Sequence, residues 1–268
     1  MPKKRLDVLL VERGLADSRQ RAQAVIMAGA VFSGSRRLDK PGMALAEDVP
    51  LEVRGKLRYV SRGGLKLEKA MQCFPIHLDG KVAADIGAST GGFTDCMLQH
   101  GVARVYAVDV GYGQLAWSLR SDPRVVCLER TNARYLTREQ IPEELDFASV
   151  DVSFISLKLI LPALRPLLGE DGQVAALIKP QFEAGREKVG KKGVVRDPAV
   201  HLEVLERFLE HAAQAGFTVR GMDVSPIRGP EGNLEYLGYL EARPGPAVPG
   251  DLADLVRRSH EQAEEVEL

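Results

Sequence analysis

The chain has 268 residues, 45% of them hydrophobic and 27% charged, with a formal net charge of −1. That length and apolar content support one medium domain with a true core plus a smaller unit, and argue against a disordered chain. No apolar run approaches the roughly 20 residues that cross a bilayer, and Asp7, Glu12 and Arg13 interrupt any signal-peptide core in MPKKRLDVLLVERG, so a soluble cytoplasmic protein is expected.

The three cysteines, Cys73, Cys96 and Cys127, stand far apart with no C-x-x-C pair. They suggest packing positions, and neither a disulfide framework nor a metal site. The near-neutral net charge hides an asymmetry. Met1 to Lys66 holds 14 Lys and Arg against 7 Asp and Glu, whereas the remainder holds 22 against 30. The basic end is the candidate phosphate-facing end, the alternative being ordinary surplus surface charge.

Residues 1–60 read as a small α+β unit. Leu6, Val8, Leu9, Leu10 and Leu15 mark a first helix; Ser18 is a candidate N-cap for a second running to Met27, which Gly29 ends. Short β-prone pieces follow at Ala30–Phe32, Pro50–Val53 and Leu57–Val60, punctuated by Gly34, Pro41-Gly42 and Gly55. The order from Leu6 to Gly42 resembles the S4 RNA-binding domain, through Arg5-Leu6-Asp7, the Ser18-Arg19-x-x-Ala22 helix start and Ala28-Gly29-x-Val31 before a glycine turn. The resemblance implies that Arg5, Arg19, Arg21, Arg36, Arg37 and Lys40, with Arg62 just beyond, contact RNA phosphates. RRLDKPG, Arg36 to Gly42, superficially resembles the catalytic aspartate motif of pseudouridine synthases, but it lies inside the small unit, where Asp39 is expected to be a turn residue.

From Lys81 onward strand-like and helix-like segments alternate. Strands are predicted at Val82–Ile86, Arg104–Val108, Val125–Leu128, Phe147–Val150 and Val174–Ile178, then at Phe217–Val224 and Tyr236–Leu240 with no helix between the last two. This pattern predicts an α/β, Rossmann-like, largely parallel sheet over residues 61–245, with one antiparallel strand at its edge. Gly245 to Gly250 reads as a linker, and Asp251 to Leu268 as a charged surface helix with a fraying end, so 246–268 is set apart.

The densest signal is DIGASTGGFTD, Asp85 to Asp95. An apolar strand opens at Asp85 into a turn built on Gly87, Gly91 and Gly92, and a helix follows over Phe93–His100. Such a turn brings backbone N–H groups and a helix N-terminus to a ligand, and glycine leaves the approach open. The spacing is not the G-x-G-x-x-G of a dinucleotide site, and Asp85 would repel a pyrophosphate. Both points favour S-adenosylmethionine, whose sulfonium and amino groups are cationic, over NAD. The next strand ends in Asp109, 24 residues on, where a carboxylate holds ribose hydroxyls.

Four charged residues are placed on one rim of that sheet. Strand four ends in VDVSFISL with Asp151, strand five ends in LIKPQFE with Lys179, the late strand carries Glu235, and Lys66 sits on the helix before the first. A desolvated lysine with a second ammonium nearby has a lowered pKa and can accept a proton from a hydroxyl. Asp151 could instead cap a helix beginning near Ser153, and isolated Lys or Glu residues are usually solvated.

SRGGLKL (61–67), DIGASTGGFTD, VDVGYGQLAWSLR (108–120), ERTNAR (129–134), DVSFISL (151–157), IKPQFEAG (178–185), GVVRDP (193–198) and GPEGNLEYLGY (229–239) resemble the TlyA family, rRNA cytidine 2′-O-methyltransferases of FtsJ-like class also labelled haemolysin A. The resemblance spans residues 5–241. It implies a catalytic Lys-Asp-Lys-Glu set at Lys66, Asp151, Lys179 and Glu235, Lys66 being chosen over Lys69 by the S-R-G-x-x-K-L pattern. It implies S-adenosylmethionine contacts at Asp85, Gly87, Ser89, Gly91, Gly92, Asp109, Asn132 and Asp151, the carbonyl of Asn132 accepting from the adenine amino group, and ribosomal RNA as partner. The basic loop Arg186 to Arg196 is either a lid over RNA or a mobile solvated segment.

Rival chemistries lack their residues. Methylation of an exocyclic amine wants an N-P-P-Y-like clamp where DVSF stands, and cytosine C5 methylation wants a cysteine after strand four. A pore-forming haemolysin needs a secretion signal and an inserting segment. A non-catalytic RNA-binding protein would not need the four charged residues.

Overall fold

The N-terminal fifty residues gather around a core of their own. In this computed structural model, which describes residues 3–265 apart from Asp17, Ala28, Lys56 and Leu57, the chain begins with β1 (Lys3–Arg5), α1 (Leu6–Glu12), α2 (Arg19–Met27), β2 (Val31–Ser33), β3 (Arg36–Arg37), β4 (Ala44–Ala46) and β5 (Glu52–Val53). Leu6, Leu10, Ala22, Val25, Ile26, Val31 and Leu38 pack together between the two helices and the strands. Ser18 caps α2 as expected, its Oγ accepting from the N–H of Arg21 at 3.1 Å. β2 is flanked by β3 and β5, and β1 pairs with β4. Three of these strands, β1, β3 and β4, escape the sequence pattern because KKR, RR and ALA show no apolar–polar alternation. The predicted piece Leu57–Val60 fares differently: Leu57 lies outside the described residues, and Arg58–Val60 is a bent segment that buries Tyr59.

The larger unit follows as α3 (Gly63–Cys73), β6 (Val82–Ile86), α4 (Gly92–Gln99), β7 (Arg104–Val108), α5 (Trp117–Arg120), β8 (Val125–Leu128), β9 (Leu145–Val150), α6 (Leu161–Leu164), β10 (Leu168–Ile178), α7 (Pro180–Glu183), α8 (Pro198–Gln214), β11 (Thr218–Val224), β12 (Tyr236–Glu241) and α9 (Leu252–Glu265). The sheet runs β11-β12-β10-β9-β6-β7-β8. Neighbours are parallel from β10 to β8, and β12 is antiparallel to both β10 and β11.

The reversed strand is therefore present, but one place in from the edge where the sequence put it. Burial explains the exchange. β12 is apolar and buried on both faces, whereas β11 carries the half-exposed Arg220 and Asp223, so the hairpin places the apolar strand inside. The reversal has a geometric result: Tyr236, the first residue of β12, pairs with Ile178, the last of β10. The residue before β12 thus reaches the same rim as the residues after β9 and β10.

Apolar clusters cover both faces of the sheet. The C-terminal helix joins one of them. Leu255 and Val256 are buried against α8 and β11, and the buried Ser259 hydroxyl lies 2.9 Å from that of Tyr236, so the expected charged helix docks one face on the sheet. Residues 266–268 lie outside the described residues.

Candidate active site

The turn after β6 is held from below. Asp85 is buried, its carboxylate accepting from the N–H and hydroxyl of Thr94 at 2.9 and 2.7 Å and from the Ser149 hydroxyl at 3.1 Å. Burial, partly offset by those hydrogen bonds, pushes its pKa up to about 6. Its oxygens tie α4 and β9 together beneath the turn, which removes the electrostatic argument that placed it against the cofactor. The glycines also have protein neighbours. Gly87 (φ +89°) lies so close to β9 that a Cβ would stand 2.4 Å from the Asp151 carbonyl oxygen; at Gly91 (φ +94°) it would stand 2.3 Å from Leu119 Cδ1, and at Gly92 2.3 Å from Ser61 Oγ. These residues let the turn nest into the fold, beyond any opening they give a ligand.

Asp109 ends β7 in the cleft, accepting from the N–H groups of Ser89 and Gly111 at 2.7 Å each. Ser89 is exposed beside it at φ +49°. The Asn132 Oδ1 accepts from the N–H of Arg134 at 3.1 Å, capping a short 3₁₀ turn. The same oxygen also accepts from Arg134 Nε at 3.3 Å, so the carbonyl expected to meet the adenine amino group already has protein partners. Val110, beside Asp109, is an apolar side chain left 70% exposed in this cleft. Residues 87–92 contain no lysine or arginine to hold a phosphate. Carboxylate acceptors, an apolar face and an uncharged glycine turn suit S-adenosylmethionine, the sulfonium and amino group facing the acids.

The four rim residues form one row of alternating charge. Lys66 donates to Glu235 Oε2 at 2.7 Å and lies 3.7 Å from Asp151 Oδ2; Asp151 Oδ1 is 2.5 Å from Lys179 Nζ, which also donates to Ser153 Oγ at 3.2 Å. Asp151 caps nothing: the next 3₁₀ turn begins at Leu157 and is capped by Ser156. Lys69, the alternative to Lys66, turns away to Asp223 at 3.1 Å. The row also revises the electrostatic expectation. Burial works against the charge on Lys66, but Asp151 and Glu235 outweigh it and hold its pKa above the ordinary value. Burial likewise opposes the charge on Asp151, and the two ammoniums overcome it and lower its pKa. A carboxylate stands between the lysines in place of the ammonium–ammonium contact anticipated from sequence.

Two residues beside the row were not singled out in advance. Phe154 is 90% exposed at φ +64°, a rare conformation for a bulky residue, and packs against Phe182 with ring centroids 5.1 Å apart and the rings tilted by 49°. Glu183 holds that loop, accepting from the Ser156 hydroxyl at 2.6 Å and the Leu157 N–H at 2.8 Å. The aromatic in a polar loop after a parallel strand was the available signal; its backbone strain was not legible.

The structure sorts the cations of the basic end. Arg5 and Arg19 are committed to the buried carboxylate of Asp7 at 2.9 and 3.1 Å, and Lys40 to Glu231 at 2.9 Å. Arg21, Arg36, Arg37 and Arg62 make no side-chain ion pair among the described residues. The loop 186–196 is anchored: Val194 and Val195 are buried, and the Asn233 amide accepts from Val195 N–H at 3.2 Å and donates to the Gly193 carbonyl at 2.9 Å, leaving Lys191, Lys192 and Arg196 exposed.

A Rossmann-like sheet with a glycine turn, an acid on the next strand and a buried Lys-Asp-Lys-Glu row defines an S-adenosylmethionine-dependent methyltransferase, here preceded by a small basic domain. Residues 59–242 match the FtsJ-like methyltransferase family and residues 4–48 the S4 domain. The chain belongs to the FtsJ-like methyltransferase family. It is 45% identical over 258 residues to the 16S/23S rRNA (cytidine-2′-O)-methyltransferase TlyA of Mycobacterium tuberculosis, covering 95% of this chain and 96% of that protein. It is 42% identical over 237 residues to hemolysin A of Brachyspira hyodysenteriae, covering 88% and 99%. A solved structure of a candidate hemolysin from Streptococcus thermophilus superposes with a TM-score of 0.80 at 49% identity, covering 100% of this chain and 99% of that one.

Proposed function

We propose that the protein transfers a methyl group from S-adenosylmethionine to the ribose 2′-hydroxyl of a cytidine in ribosomal RNA, acting in the cytoplasm. The observation that carries the reading is the row Glu235–Lys66–Asp151–Lys179, placed on the rim beside the glycine turn. The S4 domain and the named activity of the Mycobacterium tuberculosis relative support RNA as substrate and cytidine as target.

When bound, the cofactor supplies an electrophilic methyl on a sulfonium. Asp109 and Asn132 would hold its ribose and adenine, Val110 would cover the ring, and Asp151 would face its cationic end. The chain's own work is orientation and proton management. Lys66, held charged by its two carboxylates, fixes Glu235 and Asp151. Lys179 is the group placed to take the 2′-hydroxyl proton, and Asp151 at 2.5 Å holds the ammonium that carries it. Glu235 Oε1 is buried without a hydrogen-bond partner among the described residues, so this carboxylate answers Lys66 through its other oxygen. Holding the nucleophile about 3 Å from the methyl carbon is worth roughly 7–11 kcal/mol. Phe154 and Phe182 offer a stacking surface for the base.

The hemolysin names belong to those relatives. No helix among the described residues is long and apolar enough to cross a membrane, and the polar row has no use in a pore. The test is incubation with labelled S-adenosylmethionine and separate 30S and 50S subunits, followed by mapping of any 2′-O-methylcytidine. Lys179→Ala should lower the rate about 10²- to 10⁴-fold with cofactor affinity retained; comparable turnover in that variant would remove Lys179 from its role, and no transfer to either subunit would overturn the reading.

A further inference from the structure

Arg37 on β3 and Arg62 at the start of α3 come from the two different domains, yet they meet over one glycine. If Gly29 carried a Cβ, Arg37 Cδ would lie 3.2 Å and Arg62 Cδ 3.8 Å from it. Gly29 itself has φ +69° and leaves the space both side chains occupy. Neither arginine has an ion pair or a side-chain hydrogen bond among the described residues. The surrounding cations are spent differently: Lys40 is paired with Glu231, and Arg5 and Arg19 with Asp7.

Two arginine side chains that pass the same glycine, neither paired with an acid among the described residues, form an incomplete site. Burial, and after it the neighbouring Arg37 charge, keep the Arg62 pKa below its ordinary value, with Asp39 and Glu235 acting weakly the other way. An anion between the two forks would relieve that repulsion, and a phosphodiester accepts bidentate donation from arginine. Position decides which anion. Arg62 and Lys66 are four residues apart on α3, about one helical turn or 6 Å along its axis.

We propose that Arg37 and Arg62 form a single phosphate clamp across the domain seam, which grips one phosphodiester of the RNA next to the nucleotide presented to Lys66 and Lys179. It rests on the reading that RNA is the substrate. The S4 domain then fixes substrate register at the catalytic rim itself, in addition to any affinity it supplies at a distance.

The test compares the full-length wild type with Arg37→Ala, Arg62→Ala and the double variant, measuring affinity for isolated ribosomal subunits across a potassium chloride series, S-adenosylmethionine affinity and thermal melting. Because one phosphate needs both forks, each single substitution should weaken RNA binding roughly tenfold, and the double variant should be little worse than either single. The salt slope should flatten by about one phosphate contact in all three. Cofactor affinity should stay unchanged, and melting should hold or rise as like charges separate. Independent, multiplicative losses with a slope change twice as large in the double variant would overturn the clamp, as would unchanged RNA affinity in the singles. Wild-type binding without methyl transfer would remove the functional reading and leave the clamp standing; methyl transfer with unaffected variants would do the reverse.

Discussion

Among single residues, the two lysines of the row differ in what they hold up. Lys66 is, among the described residues, the sole ion-pair partner of Glu235, which is only 1% exposed, so Lys66→Met would strand a buried carboxylate. Breaking such a pair costs about 3–5 kcal/mol, and chemical denaturation of Lys66→Met should show a loss of that size. Lys179→Ala leaves Asp151 with Lys66 and should melt closer to the wild type. Inactivity in the first variant thus reports folding as well as chemistry, and inactivity in the second reports chemistry.

Asp85 gives a pH signature of opposite sign to a salt-bridged acid. Its folded pKa of about 6 lies above the value of about 3.9 in an unfolded chain. Between those values the folded state binds more protons, so this group's contribution to stability grows as pH falls through 6 and is lost above it. Relative to Asp85→Asn, the wild type should gain about 1 kcal/mol between pH 7 and pH 5, measured by urea unfolding at each pH. The identities of Asp85 and Lys66 were legible in the sequence. Their electrostatics were not, because burial and partner geometry come from β9, α3 and β12 together.

At the level of elements, the turn after β6 is the least forgiving segment. Gly87→Ala would require φ +89° of a residue with a Cβ and would drive that Cβ to 2.4 Å from the Asp151 carbonyl oxygen. The chain must shift Asp151 to accommodate it. We expect destabilisation of about 1–3 kcal/mol and a fall in methyl transfer larger than the fall in cofactor affinity, checked by melting and by single-turnover kinetics. The central strands were readable because long apolar runs between helical stretches have few alternatives. The short ladders of the small domain were not, since their pairing is set by the core beneath them. The misplacement of the reversed strand has the same cause: alternation and turn signals identify a hairpin, but which arm lies inside depends on how many faces each can bury.

For the whole molecule, the two domains meet at charged side chains, and the sequence displayed only their charge totals. Glu231, in the turn leading to Glu235, pairs with Lys40 of the small domain and also feels Lys192 of the basic loop. An exposed pair of this kind contributes little to stability and is weakened by salt. Glu231→Gln should leave the melting temperature unchanged and raise RNA affinity at low ionic strength by releasing Lys40, an effect that fades as salt is added. Equal affinities at low salt would show that Lys40 is not held back from RNA. The presence of an RNA-binding module was visible from residues 5–42; which of its arginines are already occupied by Asp7 was not, because Asp7 reads as one more surface acid until it is seen buried.

The position of Glu235 has a consequence for the order in which the protein acquires its abilities. It is brought to the rim by the strand that turns back between β10 and β11, and that strand follows the other six strands of the sheet in chain order. During synthesis, domains fold from the N-terminus onward. The RNA-binding module, which has a core of its own, is therefore complete while the chain is still growing, whereas the sheet that carries the cofactor turn waits for the strand that brings Glu235 to the row. The capacity to hold RNA precedes the capacity to mark it.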